Sequence, residues 1–141
     1  MIKRQDHNKG FSLIEIMLAT SIFAVSVMAL SGGLIYAQQS ALLASHRMQG
    51  VFLAAEGMEA TQNIAAEDFA NLVDGDFGLA VVNNSYAFNG SSDTWDIYER
   101  HVSISSIDDQ TKEIEVIVSW SQSVFDEGSV TLNTYITHWN R

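Results

Sequence analysis

Lys9-Gly10-Phe11-Ser12-Leu13-Ile14-Glu15-Ile16-Met17-Leu18 is the stretch that decides how the rest of the chain is read. A cation and a glycine give way to a long apolar run, and one carboxylate sits inside that run. From Ile16 to Ile35, twenty consecutive residues carry no charge. As a helix they would span about 30 Å, the thickness of a bilayer's hydrocarbon layer. A charge in such a segment costs roughly 2.5–3.5 kcal/mol on insertion scales, which makes Glu15 a functional candidate by default. Lys3, Arg4 and Lys9 precede the run. That asymmetry favours a single pass with the N-terminus in the cytoplasm and the C-terminus exported.

Three kinds of segment fit this description. A secretory signal would be cut near Val27-Met28-Ala29, whose small residues loosely suit the ordinary signal peptidase. A plain signal anchor would stay uncut. The third kind is cut ahead of the apolar run, and Glu15 discriminates, because the first two gain nothing from a carboxylate there. Gly10-Phe11-Ser12-Leu13-Ile14-Glu15 resembles the processing site of the type IV pilin superfamily. The resemblance implies that a prepilin peptidase cuts between Gly10 and Phe11 and that Phe11 becomes the N-methylated terminus. In a helix, the new amine would lie about 6 Å along the axis from Glu15. On axially staggered neighbours an amine and an acid would then reach similar depth, each offsetting the other's desolvation. In the family this pairing is the proposed register device between subunits. Gly10 alone is weak evidence, since a glycine permits unusual backbone or close approach by an enzyme at many sites; with Phe11 and Glu15 in place it is specific.

The helical pattern continues past Ile35. Tyr36 to Ala66 is rich in Ala, Gln, Leu, Met and Glu, and the whole chain lacks proline. Ala44, Met48, Val51, Phe52, Ala55 and Met58 recur at spacings of three and four, predicting one apolar stripe. One continuous helix from about Ser12 to Ile64 is expected, apolar all round at first and amphipathic later. Gly32-Gly33 interrupts the apolar half and reads equally as a bend, a close-packing site or a tolerated pair. Gly50 and Gly57, seven residues apart, also suit close approach. Ala54-Ala55-Glu56-Gly57-Met58-Glu59-Ala60 resembles the helix segment of V-like minor pilins and I-type minor pseudopilins.

Beyond the helix, Asp68 to Gly78 reads as a short helical turn followed by turn chemistry, and Leu79 to Phe88 has room for one or two short edge strands. Trp95 to Ile107, Lys112 to Val124 and Ser129 to Trp139 alternate with period two. Val102 and Ile104 share a face, as do Ile114, Val116, Val118 and Trp120, and Val130, Leu132 and Ile136. The breaks fall at Asp108-Asp109-Gln110 and Asp126-Glu127-Gly128. This predicts an antiparallel meander with one buried face, covered by the amphipathic half of the helix. The expected fold class is α+β: a long N-terminal helix, membrane-spanning and then amphipathic, packed on a small antiparallel sheet, as in pilins. The expected division is a leader at 1–10, a transmembrane half at 11–37, an amphipathic half at 38–66 and a β domain at 67–141.

Composition limits the chemistry. Removing residues 1–10 leaves four cations against sixteen acids, a net of −12. Such a surface repels phosphate backbones, so no nucleic-acid partner is expected and DNA capture is disfavoured. With no cysteine there is neither a disulfide nor thiolate chemistry, a departure from the many major pilins that close a C-terminal loop. His7, His46, His101 and His138 are dispersed, and no catalytic constellation or phosphate loop stands out, so neither an enzyme nor a cofactor is expected. Asp74-Gly75-Asp76 and Asp93 to Asp96 lack EF-hand spacing and read as acidic turns rather than metal ligands. Trp95, Trp120 and Trp139 read as sheet-core residues before a binding patch.

The expected role is assembly. The resemblance implies a subunit stored in the inner membrane, processed by prepilin peptidase, and moved by an inner-membrane assembly platform into a filament of other pilin or pseudopilin subunits. A minor pilin is the leading expectation and a minor pseudopilin of a type II secretion system the alternative. A major subunit of a thin filament, or a signal-anchored exported binding or enzyme domain, remain rivals.

Overall fold

The computed structural model describes residues 10–123 and 126–138. Its first element is α1 (Leu13–Glu67), 55 residues without a break. No proline interrupts it, and its residues are mostly strong helix formers. Ser12 starts the helix: its carbonyl accepts the Glu15 and Ile16 amides at 3.0 and 3.2 Å. The helix ends where Asp68 adopts extended backbone and its carboxylate accepts the Ala70 amide at 2.9 Å, capping a 3-10 turn at Phe69–Asn71. Leu72, buried, anchors the chain as it turns back. By compactness the chain divides into two units at Ala41/Leu42.

In the first unit, α1 carries its hydroxyls inward. Thr20, Ser21 and Ser26 each donate to a carbonyl three or four residues back, at 2.7 to 3.0 Å. These residues therefore present no unsatisfied donor to an apolar surrounding. Gly32 and Gly33 lie in unbroken helix, and a Cβ at either would meet nothing within 4 Å.

In the second unit, six antiparallel strands form one sheet: β1 (Gly75–Val82), β2 (Ser85–Asn89), β3 (Asp93–Trp95), β4 (Tyr98–Ser106), β5 (Thr111–Ser123) and β6 (Asp126–Thr137). The order is β2-β1-β4-β5-β6, with β3 pairing on β4. The expected three-strand meander is its larger half. Tyr98 faces Trp120 and Val102 faces Val116 between β4 and β5; Val116 faces Leu132 between β5 and β6. Ile104, Ile114, Val116 and Val118 are buried, while Val130, Leu132 and Ile136 are only half-buried.

Four readings are corrected. Gly75-Asp76-Phe77-Gly78 is strand rather than turn, because Gly75–Phe77 pairs with Val102–Ile104 of β4 and Gly78 with Asn89 of β2. Trp95 to Ile107 is not one strand: Asp96, at φ +56°, folds Trp95 back onto Tyr98. Asp126-Glu127-Gly128 belongs to β6, where Gly128 leaves room for the ring of Trp120 across the ladder. The predicted helical stripe is also displaced. Gly50, Ala54, Gly57, Thr61 and Ile64 face the sheet, whereas of the predicted stripe only Met58 packs against the core and Ala44, Met48, Val51, Phe52 and Ala55 are exposed. The sheet's bulky Trp120, Val116 and Arg100 fill the space, so the helix supplies small residues there. Trp139 and residues 1–9, including His7, lie outside the described residues.

Candidate functional site

The Gly10–Phe11 bond lies in exposed, non-helical backbone two residues ahead of α1. Phe11 is 81% exposed. A Cβ at Gly10 would meet nothing within 4 Å, so nothing within the described chain requires a glycine there.

Glu15 stands in the first helical turn. There the helix dipole favours an acid, and Ser12-Leu13-Ile14-Glu15 has the spacing of a capping box. Among the described residues, however, the Glu15 carboxylate makes neither a hydrogen bond nor an ion pair. It sits in a helix whose most apolar window has a mean hydropathy of 2.2, with none of that window buried. Among the described residues this is the one helix long and apolar enough to cross a membrane. The arrangement sets an accessible peptide bond, then an aromatic residue, then an unpartnered carboxylate, at the mouth of a lipid-length helix.

A second cluster, not anticipated from the sequence, joins helix and sheet. Arg100 is 8% exposed. Its Nε and Nη2 donate to the two carboxylate oxygens of Asp93 at 3.2 and 2.8 Å, a bidentate pair. Nη1 donates to the Leu53 carbonyl of α1 at 3.1 Å and lies 3.6 Å from Glu56. Asp93 also accepts the Leu79 amide at 2.8 Å, and Glu56 accepts the Tyr86 hydroxyl at 2.8 Å. That bond pushes the Tyr86 hydroxyl above its ordinary value of 10.0. One guanidinium thus ties α1 to β3 and β4, and its two acids reach β1 and β2. The signal was present, since Tyr98, Arg100, Val102 and Ile104 share one face by alternation; an arginine in that row must be buried with partners.

Gly57 makes this seat: a Cβ there would stand 2.9 Å from Val116 and 3.0 Å from Arg100. Gly50 does the same for Trp120, at 2.7 Å. Trp120 is 8% exposed and belongs to the core, as expected. Trp95 does not: it is 55% exposed and stacks on Tyr98 at 6.2 Å.

The remaining candidates are engaged locally. Asp74 accepts from Lys112 at 2.6 Å and from Ser106 at 2.8 Å, and these bonds hold its carboxyl below the ordinary 3.8. Asp93 is committed to Arg100. His46 sits edge-on to Tyr98, His101 lies 3.4 Å from Glu99, and His138 stacks on Phe69. Among the described residues no three His, Cys, Asp or Glu side chains group as metal ligands.

Compared with family models, residues 6–31 match one described as the prokaryotic N-terminal methylation motif. Neither the curated protein sequences nor the solved structures yield a match. The matched segment holds Gly10, Phe11 and Glu15 and runs through most of the uncharged stretch from Ile16 to Ile35. The protein therefore carries a type IV pilin-like prepilin motif at its N-terminus.

Proposed function

We propose that the protein is a minor pilin, a structural subunit rather than an enzyme, held in the inner membrane by the first half of α1 with its β domain exported. Prepilin peptidase hydrolyses the Gly10–Phe11 bond, which lies exposed ahead of the helix, and the new Phe11 amine is methylated. An inner-membrane assembly platform then lifts the subunit out of the bilayer into a pilus. The observation that carries this reading is the unpartnered Glu15 carboxylate in a lipid-length helix. In the membrane that charge is costly; beside a neighbour's N-terminal amine it is compensated. One feature supports a minor rather than a major role. A net of −12 repeated at every position of a filament would repel itself. Met48 and Phe52, 62% and 63% exposed on the outward face of α1, offer apolar surface to neighbouring helices. A minor pseudopilin of a type II secretion system uses the same parts and is the second reading, since Ala54 to Ala60 resembles I-type pseudopilins as much as V-like minor pilins.

The test is Glu15→Val. The variant should insert in membranes at least as well as the wild type, because a costly charge is gone. Its share in sheared filaments, relative to membranes, should fall at least tenfold. Equal incorporation with a normal filament count would contradict an assembly role for Glu15.

A further inference from the structure

The outermost strand β6 (Asp126–Thr137) pairs with β5 along one side only, among the described residues. It is twelve residues long, against five for β2 at the opposite edge. Edge strands are ordinarily blunted by charges, proline or bulges. From Thr131 to Thr137 this one has no charge, no proline and no glycine, and its only register shift lies at the far end, opposite Ser121/Ser123. Coverage by α1 also runs out here. On β5, Ile114, Val116 and Val118 are fully buried, but Val130, Leu132 and Ile136 on β6 are half-buried. Beside Ile136 lies a cleft of about 400 Å³, lined by Gln62, Ala65 and Ala66 of α1, by Phe69, and by residues 135–138 at the end of the strand. The other face of the edge has the opposite character. Asn133 and Tyr135 stand beside Glu115 and Glu113, and no lysine or arginine shares that face among the described residues. Residues 42–141 carry four cations against fifteen acids, a net of −11.

We propose that the free edge of β6 takes an extended segment of a different, basic polypeptide as an added strand. The added backbone would satisfy the unpaired amides and carbonyls of β6, which supplies affinity without regard to sequence. Its alternate side chains would divide by face: apolar ones into the Ala65–Phe69–Ile136 cleft, basic ones over Glu113 and Glu115. A second copy of this chain is the wrong occupant, because it would bring another −11 against this one. The inference deepens the subunit reading, and rests on it only for where such a partner is met.

The probe is an acetylated eight-residue peptide of alternating lysine and valine, added to the full chain in detergent micelles. Amide hydrogen exchange is read strand by strand. Exchange in β6 should slow at least tenfold, with β2 unchanged, and a glutamate–valine peptide of equal length should have no effect. Ala65→Lys, which fills the cleft from the helix side and leaves the strand edge intact, should abolish the protection while core amides of β4 and β5 exchange as before. Absence of protection with the lysine peptide overturns the proposal. So does equal protection at β2, equal protection by the glutamate peptide, or β6 protection that rises with protein concentration alone, which would mean self-pairing. The measurement is indifferent to whether residues 1–10 are present, so its failure and a failure of leader processing are separately visible.

Discussion

Arg100 carries the most structure of any single residue. Its guanidinium holds Asp93 bidentately and touches α1 at Leu53 and Glu56. Removing it leaves a partly buried carboxylate without a counter-charge, which costs about 3 kcal/mol. Arg100→Ala should therefore lower the urea midpoint of the β domain sharply at unchanged slope. Arg100→Lys keeps the charge, loses the fork, and should fall between the two. Glu56→Gln should cost less than about 1 kcal/mol, because that acid is 45% exposed and solvent screens the pair. The acid limb has a separate source. The Asp74 carboxyl is held below 3.8 by Lys112 and then Ser106. The unfolded chain therefore binds this proton more readily, and the contribution is complete above pH 3.8 and lost as pH falls through the lower folded value. Lys112→Met should lower the neutral plateau slightly and leave stability at the lowest pH unchanged, so that the acid limb below pH 3.8, read by circular dichroism, becomes shallower. An unchanged acid limb would mean that other carboxylates govern it.

At the scale of elements, the second half of α1 has two faces with different work. Small residues seat it on the sheet, at Gly50, Ala54 and Gly57. Large apolar ones, Met48, Val51 and Phe52, point away from it. Gly57→Leu should destabilise the domain by about 1–3 kcal/mol or more, since Val116 and Arg100 already occupy the space. Phe52→Lys should change stability by no more than about 0.5 kcal/mol, yet reduce incorporation into filaments. The reverse outcome, a stable Gly57→Leu and an unfolded Phe52→Lys, would mean that the helix is seated on its other face. This division also explains where the sequence misled. A 3.6-residue period marks the apolar side of a helix, and here the buried side is the small one. Glycine and alanine add little to a hydrophobic stripe, so the pattern pointed to the exposed side of the helix. The strands were easier to read. Period-two alternation through Ile114, Val116 and Val118 follows directly from the pleat. The second half of β1 and most of β2 fall within Leu79 to Phe88, where edge strands were expected. The first half of β1 was hidden because Gly75-Asp76-Phe77-Gly78 has turn composition, and pairing with β4 makes Gly75–Phe77 strand.

For the whole molecule, the proposed processing and charge pairing rest on Gly10, Phe11 and Glu15, and the proposed membrane storage on the apolar run that follows. The N-terminal motif was legible from order alone: the cation, glycine, aromatic residue and carboxylate fall within residues 6–31, which match the methylation motif. The Arg100 cluster was legible only in part: alternation buries the arginine, but its partners at Asp93 and Glu56 come from elements whose packing no local pattern encodes. Every step proposed for this protein begins with hydrolysis between Gly10 and Phe11. The direct measurement is the intact mass and N-terminal peptide of the chain recovered from membranes of cells that carry prepilin peptidase. The account predicts a chain that begins at Phe11 and is one methyl group heavier than its sequence, with Gly10→Val retaining residues 1–10. A chain that begins at Leu30, or one that keeps Met1 through Gly10 in the wild type, would contradict it.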